Sequence, residues 1–233
     1  MIGSAKRRIG IIWGHSSFWR RERHGESYDP PEVMIRHTPM SHRRSIALLI
    51  LIASLAHGQP AEERDWRNYP DYSALRQEIG WSDDFSARCE HDRPIESIVS
   101  LMNDEKWRDA IAVGMPWLEK CPIDIRLHYY VAISYSELGS EPEAETHLQW
   151  FKGLMDSVVA TGDGKTPQTP YVTVSVDEEY DALYFFGLKV TGQSLVQGVA
   201  LLDAFTAENE EGKEFTIYFS PAAHFARLEK LLR

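Results

Sequence analysis

The chain has 233 residues, 43% of them apolar and 26% charged, a globular composition that excludes collagen-like, low-complexity and wholly disordered chains. Residues 1–58 hold 9 of its 25 Lys and Arg and 4 of its 35 Asp and Glu, so the remainder has 16 against 31, a net charge near −15. A surface that acidic repels phosphate backbones and anionic lipid, which argues against nucleic acid and membrane surfaces as partners.

The amino-terminal region divides in two. Met40 to Gly58, "MSHRRSIALLILIASLAHG", sets a basic start before an apolar run and then small residues at signal-peptidase spacing, Ser54 and Ala56 or Ala56 and Gly58. The run is about half of the roughly 20 residues that cross a bilayer, and no Cys follows it, so a cleaved signal peptide fits better than an anchor or lipoprotein. A buried core helix is the alternative. Residues 1–39, rich in Arg and His and without periodicity, read as a start placed too early, with Met40 or Met34 the initiator, or as an extended basic region. The expected location is periplasmic or secreted, with no stable membrane insertion after cleavage.

Residues 59–70 are polar, with Pro at both ends, and read as a tether. Helices are then predicted at Tyr72–Ile79 before Gly80, at Pro94–Met102, and from a cap at Asn103 onward. Pro116 must kink or break that last helix, and Pro122 ends it. A further helix spans about Asp124–Leu138 with Gly139 as its stop. The next opens on Ser140-Glu141-Pro142-Glu143 as a capping box and closes at Gly162.

Ala110 and Ala144 lie 34 residues apart, the period of tetratricopeptide hairpins, and Trp117 matches Phe151 at the same offset. Small residues let paired helices approach, and large ones fill the gaps beside them. Only about two hairpins fit, fewer than the roughly three that stand alone, so another layer must cover the open end.

Cys89 and Cys121 both follow the apolar run, and in an oxidising compartment an even pair reads as a disulfide. Two unrelated buried thiols are the alternative. No metal-ligand spacing surrounds either cysteine, and no metal or cofactor is implied.

The last third supplies the covering layer. "YVTVSV" (Tyr171–Val176) alternates with period 2 and reads as a strand. "DEEYDALYFFG" follows as a helix capped by Asp177. "LKVTGQSLV", "VALLDAFTAE" and "EFTIYFS" read as strands, with turns at Gln197-Gly198 and Asn209–Lys213, and Pro221 starts a final helix. The predicted fold is α+β. Tetratricopeptide-like hairpins over 71–161 pack as one globular unit on a small, mostly antiparallel carboxy-terminal sheet with a crossing helix over 162–233.

"GDGKTP" at 162–167 contains a Gly-Lys-Thr triplet, but the first glycine of a phosphate loop would fall on Val159. A helix precedes this loop and a strand follows it, so no helix amino terminus faces an anion. Asp163, Asp177, Glu178 and Glu179 lack the calcium-loop spacing. No nucleophile elbow or zinc-protease pair is present. His128, His147 and His224, and the aromatic groups at 129–130, 150–151 and 184–186, read first as packing residues. Nothing in the motifs points to catalysis.

The run "GDGKTPQTPYVTVSVDEEYDALYFFGLKVTGQSLV", the later "IYFSPAAHFARL" and the earlier "DIRLHYYVAISYSELGSEPEAETHLQWFKGLMDSV" resemble a bacterial family, domain of unknown function 4919, from about Tyr72 to the end. The resemblance implies an exported protein with tetratricopeptide-like helices and transfers no catalytic residue. Pro116 and the upstream 39 residues depart from its pattern.

Two functions stay open. One is a protein-protein interaction module whose partner is another envelope protein. The other is an enzyme or small-ligand binder with its site at the Gly162–Pro170 loop, lined by Asp163, Lys165, Thr166, Glu178 and Glu179 with His224 nearby. Two Pro and two Gly fix that loop more rigidly than a connector needs.

Overall fold

The computed structural model describes residues 66–197 and 200–233. Residues 1–39, the signal segment 40–58 with its exit at Ala56 and Gly58, and most of the tether lie outside them, as does Gly198 of the expected turn. In chain order the elements are α1 (Tyr72–Gly80), a π-helical turn (Ser86–Glu90), α2 (Ile95–Asn103), α3 (Trp107–Lys120), α4 (Ile125–Glu137) and α5 (Glu141–Val159). Then come β1 (Tyr171–Val172), α6 (Val176–Phe185), β2 (Lys189–Gln197), β3 (Leu201–Glu208), β4 (Glu214–Ser220) and α7 (Ala222–Leu231). The fold is α+β, as expected.

Helices α2 to α5 pack each on the next, and α1 returns to α5. Small residues set the spacing. A Cβ on Gly114 of α3 would lie 2.5 Å from Val131 Cγ2 of α4, and one on Gly153 of α5 only 2.0 Å from the Tyr72 ring of α1. Pro116 does not break α3, which runs through it to Lys120; buried Trp117 and Leu118 hold the turn that follows.

Asn103 does not cap α3. It ends α2, and the chain reverses at Glu105, whose φ is +58°. Lys106 N–H donates to Leu101 O and Glu105 N–H to Met102 O, the closure in which glycine normally holds the left-handed position. The Cβ of Glu105 makes that conformation costly, so Glu105→Gly is expected to raise stability by about 1 kcal/mol, read as a higher urea midpoint at unchanged m. Gly139 makes the same closure at the end of α4 with φ +74°. Ser140 follows at once, its N–H drawn back to Tyr135 O, and its side chain makes no capping bond, so the expected capping box is not formed.

The sheet has the order β1-β4-β3-β2, antiparallel except for the short parallel pair β1–β4. The run expected as a strand over 171–176 gives only two ladder residues. Ser175 turns extended and accepts from Glu178 N–H, so Ser175, not Asp177, caps α6 and Val176 is already helical. Asp177, Glu178 and Glu179 fill the first turn, where the negative charge of Asp177 and Glu178 opposes the helix dipole favourably.

One buried apolar cluster runs from Trp66 and Ile98 through Phe151 and Leu154 to Leu183, Phe205 and Phe219. Phe185 of α6 lies edge-on to Phe151 of α5, ring centroids 4.6 Å apart, and 5.1 Å from Tyr129 of α4. The helices and the sheet therefore share apolar contact. Among the described residues, no helix is long and apolar enough to cross a membrane.

Candidate functional site

The buried charges gather where the helical part meets α6. Cys89, in the π-helical turn, and Cys121, just past α3, form a disulfide with Cα atoms 5.2 Å apart. The bridge brings Arg93 beside Asp124, the residue that caps α4. Arg93 Nε and Nη2 donate to both Asp124 oxygens at 2.8 and 2.7 Å, while Leu127 N–H and Trp117 Nε1 donate to the same carboxylate. The second carboxylate on Arg93 is Asp181 of α6, whose other oxygen lies 2.7 Å from Arg126 Nε. Burial alone would raise the Asp124 pKa, but Arg93 and the donated bonds hold it below its ordinary value. For Asp181 burial wins over both arginines, and its pKa is pushed up to about 6. A cleft of about 30 Å³ opens here, walled by the disulfide, Arg93, Asp124, Ser175, Asp177 and Asp181. That is room for a water or two, not for a substrate.

A second pair lies deeper. Arg76 of α1 donates from Nε and Nη2 to the two oxygens of Glu178, both at 2.8 Å, and also bonds Ser157 O and Val172 O. Glu178 accepts Val174 N–H as well. A fourth cation, Arg227 of α7, donates to Gly80 O and Val174 O and stacks on Phe85, 4.0 Å from its centroid.

Of the residues expected at the ligand loop, Asp163, Lys165 and Thr166 are together. Asp163 Oδ1 accepts from Lys165 N–H and from Thr169 Oγ1, and those bonds, the hydroxyl's first, hold its pKa down. Tyr218 N–H donates to Gly164 O and lays the loop along β4. No helix follows the Gly-Lys-Thr triplet; the chain turns into β1. Glu178 and Glu179 are buried in the first turn of α6 instead, the first paired with Arg76 and the second bonded by Thr173 Oγ1 at 3.2 Å. His224 stands 3.8 Å from Glu90. No hydrogen bond or ion pair joins these three to the loop.

His128 and His147 are buried and face each other, Nδ1 to Nδ1 at 3.0 Å. His128 Nε2 is 3.1 Å from Pro122 O, which can only accept, so Nε2 carries the proton and His147 Nδ1–H donates to His128 Nδ1. Burial pushes His128 down to about 3, aided by His147, and His147 down to about 4. The pair stays neutral in the folded state. Its contribution to stability is complete above about pH 6.5 and is lost as pH falls through 4 to 3. Trp66 and Trp150 close around the rings, so this is a packed pair and not an exposed base.

Arg76, Arg93, Asp181 and Asp203 carry the buried polar structure, and no catalytic or binding motif in the sequence contains any of them. In the sequence Asp124 marks the start of a helix and nothing more. For Asp181 the spacing of four from Asp177 was the available signal, but it fits a solvated helix face equally well.

No curated protein and no solved structure matches the chain. The sequence pattern of a family described as "Domain of unknown function (DUF4919)" matches residues 77–226. That span runs from inside α1 into α7, well over half of the chain, and the protein therefore belongs to this family.

Proposed function

We propose that the protein is an exported interaction module that binds another protein of the cell envelope. The observation that carries the reading is an exposed apolar group on an acidic chain: Trp81 at 50%, Leu228 at 41%, Leu231 at 79% and Leu232 at 88% accessibility. Arg227 to Gly80 and Lys230 to Asp83 fix α7 beside the segment that carries Trp81. Apolar surface held in place in this way is what a protein partner covers. The Cys89–Cys121 bridge suits an oxidising compartment. The serial packing of α2 to α5, with Ala110 and Ala144 both buried, supports a tetratricopeptide-like reading of the helical part.

The test is in-cell crosslinking of the full chain, with capture from the envelope fraction. One reproducible partner is expected with the natural sequence, and its loss with Trp81→Ala or Leu231→Asp. A set of captured proteins unchanged by those substitutions overturns the reading.

A small ligand at the Gly162–Pro170 loop is the second reading. It is favoured by the rigidity of the loop: a Cβ on Gly162 would fall 2.3 Å from Pro170 O. Retention of a small molecule in native mass spectrometry, lost with Lys165→Ala, would establish it in place of the first.

A further inference from the structure

β2 is the last strand of the sheet, and among the described residues it pairs only with β3. It is nine residues long, about 30 Å of backbone. A row of N–H and C=O groups along one side is therefore left to water or to another strand. Exposed edges are ordinarily blunted by proline, by unpaired charge or by a cover. β2 has no proline, and its one charged side chain, Lys189, is paired with Glu208 at 2.9 Å. A bulge between Val190 and Gly192 bends the amino-terminal end and leaves Gln193–Gln197 in regular register with β3. The middle of that run is Leu195, 55% exposed, and Tyr180, 41% exposed, bonds the neighbouring Gln193 through its hydroxyl.

We infer that a second copy of this chain pairs at this edge, antiparallel to the first, about a two-fold axis at Leu195, so that two four-stranded sheets become one of eight. Charge selects the occupant. The chain carries net −10, and most of its surface repels an identical molecule. Thr191–Gln197 carries no formal charge at all. Antiparallel pairing centred on Leu195 sets Gln193 opposite the other copy's Gln197, and Ser194 opposite Val196. The two leucines then meet across the axis and cover each other. The two Lys189 side chains fall at opposite ends, about 40 Å apart, so no like charges meet. Such a contact is isologous: every bond made by one copy is returned by the other. It goes beyond the proposed envelope partner and uses neither Trp81 nor α7.

The test is light scattering behind gel filtration on the full chain across a hundredfold range of concentration. Twice the chain mass is expected at the upper end, and the chain mass for Leu195→Lys, with an unchanged circular dichroism spectrum and melting temperature. Leu195→Cys should crosslink to a dimer within minutes of mild oxidation, while the control Thr216→Cys should not. Trp81→Ala should dimerise normally, which separates this contact from the envelope partner. Chain mass at every concentration overturns the inference. So does a dimer that survives Leu195→Lys without crosslinking at Leu195→Cys. Loss of a captured envelope protein by Leu195→Lys in a monomeric chain assigns the edge to a foreign strand and overturns it likewise.

Discussion

Arg76→Met should cost about 3–5 kcal/mol of stability and Glu178→Leu a similar amount, while the two together cost much less than their sum. Both side chains are almost fully enclosed, 0% and 6% accessible, so removing one leaves the other as an uncompensated charge away from water. Removing both takes the charge out altogether. The double variant does not return to the natural value, because Ser157 O, Val172 O and Val174 N–H lose partners that the pair supplied. Each backbone group left without a partner costs about 1–3 kcal/mol. A double-mutant cycle by urea unfolding should give a coupling of about 2–3 kcal/mol. A coupling near zero would mean that the two residues act separately, and the account of the junction between α1 and α6 would fail.

The second large effect is a dependence on pH. Glu179 has no accessible surface, and among the described residues one of its carboxyl oxygens has no partner while the other takes a hydrogen bond from the Thr173 hydroxyl. Burial first, then the nearby Asp203, pushes its pKa up to about 9. The unfolded chain releases that proton near pH 4.3. Between those values the folded state holds one proton more than the unfolded state, so stability falls as pH rises. It is largest below the unfolded value and is lost as pH climbs towards 9. Above about pH 7 the two buried histidines and Asp181 no longer change charge in either state, which isolates Glu179. Natural protein should lose about 1.4 kcal/mol per pH unit just above pH 7, with the slope falling to about half of that by pH 9. Glu179→Gln keeps a polar neighbour for Thr173, has no proton to lose, and should give a flat profile. Parallel profiles for the two proteins would refute the assignment.

Much of the architecture was readable because it follows from local rules. Gly139 closes a helix, Asp124 opens one, and the runs read as strands at 188–196, 199–208 and 214–220 became the long strands, whereas the alternating run at 171–176 did not. The bonded cysteines followed from their number and from the apolar segment upstream. The misplaced boundaries share one cause. Asn103, Ser140 and Asp177 are each a good capping residue, but a tighter local closure took the position: the left-handed turn at Glu105, the return of Ser140 N–H to Tyr135, and the Ser175 hydroxyl.

The candidate site was less legible. Asp163, Lys165 and Thr166 are neighbours in sequence and in space, so the loop could be seen. Glu178 looks like any acidic residue in a first turn until Arg76, 102 positions earlier, is brought against it. Periodicity identifies an apolar face but does not report which charged side chains that face encloses. Glu179 and Asp203 come together by the same long-range packing, as do Arg93 and Asp181.

The grip of Arg227 on Gly80 O and Val174 O has a consequence for local opening. One side chain of α7 holds the last residue of α1 and the segment that leads into α6 at the same time, so α7 cannot lift away without loosening both. Breathing of those two distant stretches is thereby tied to a single hinge.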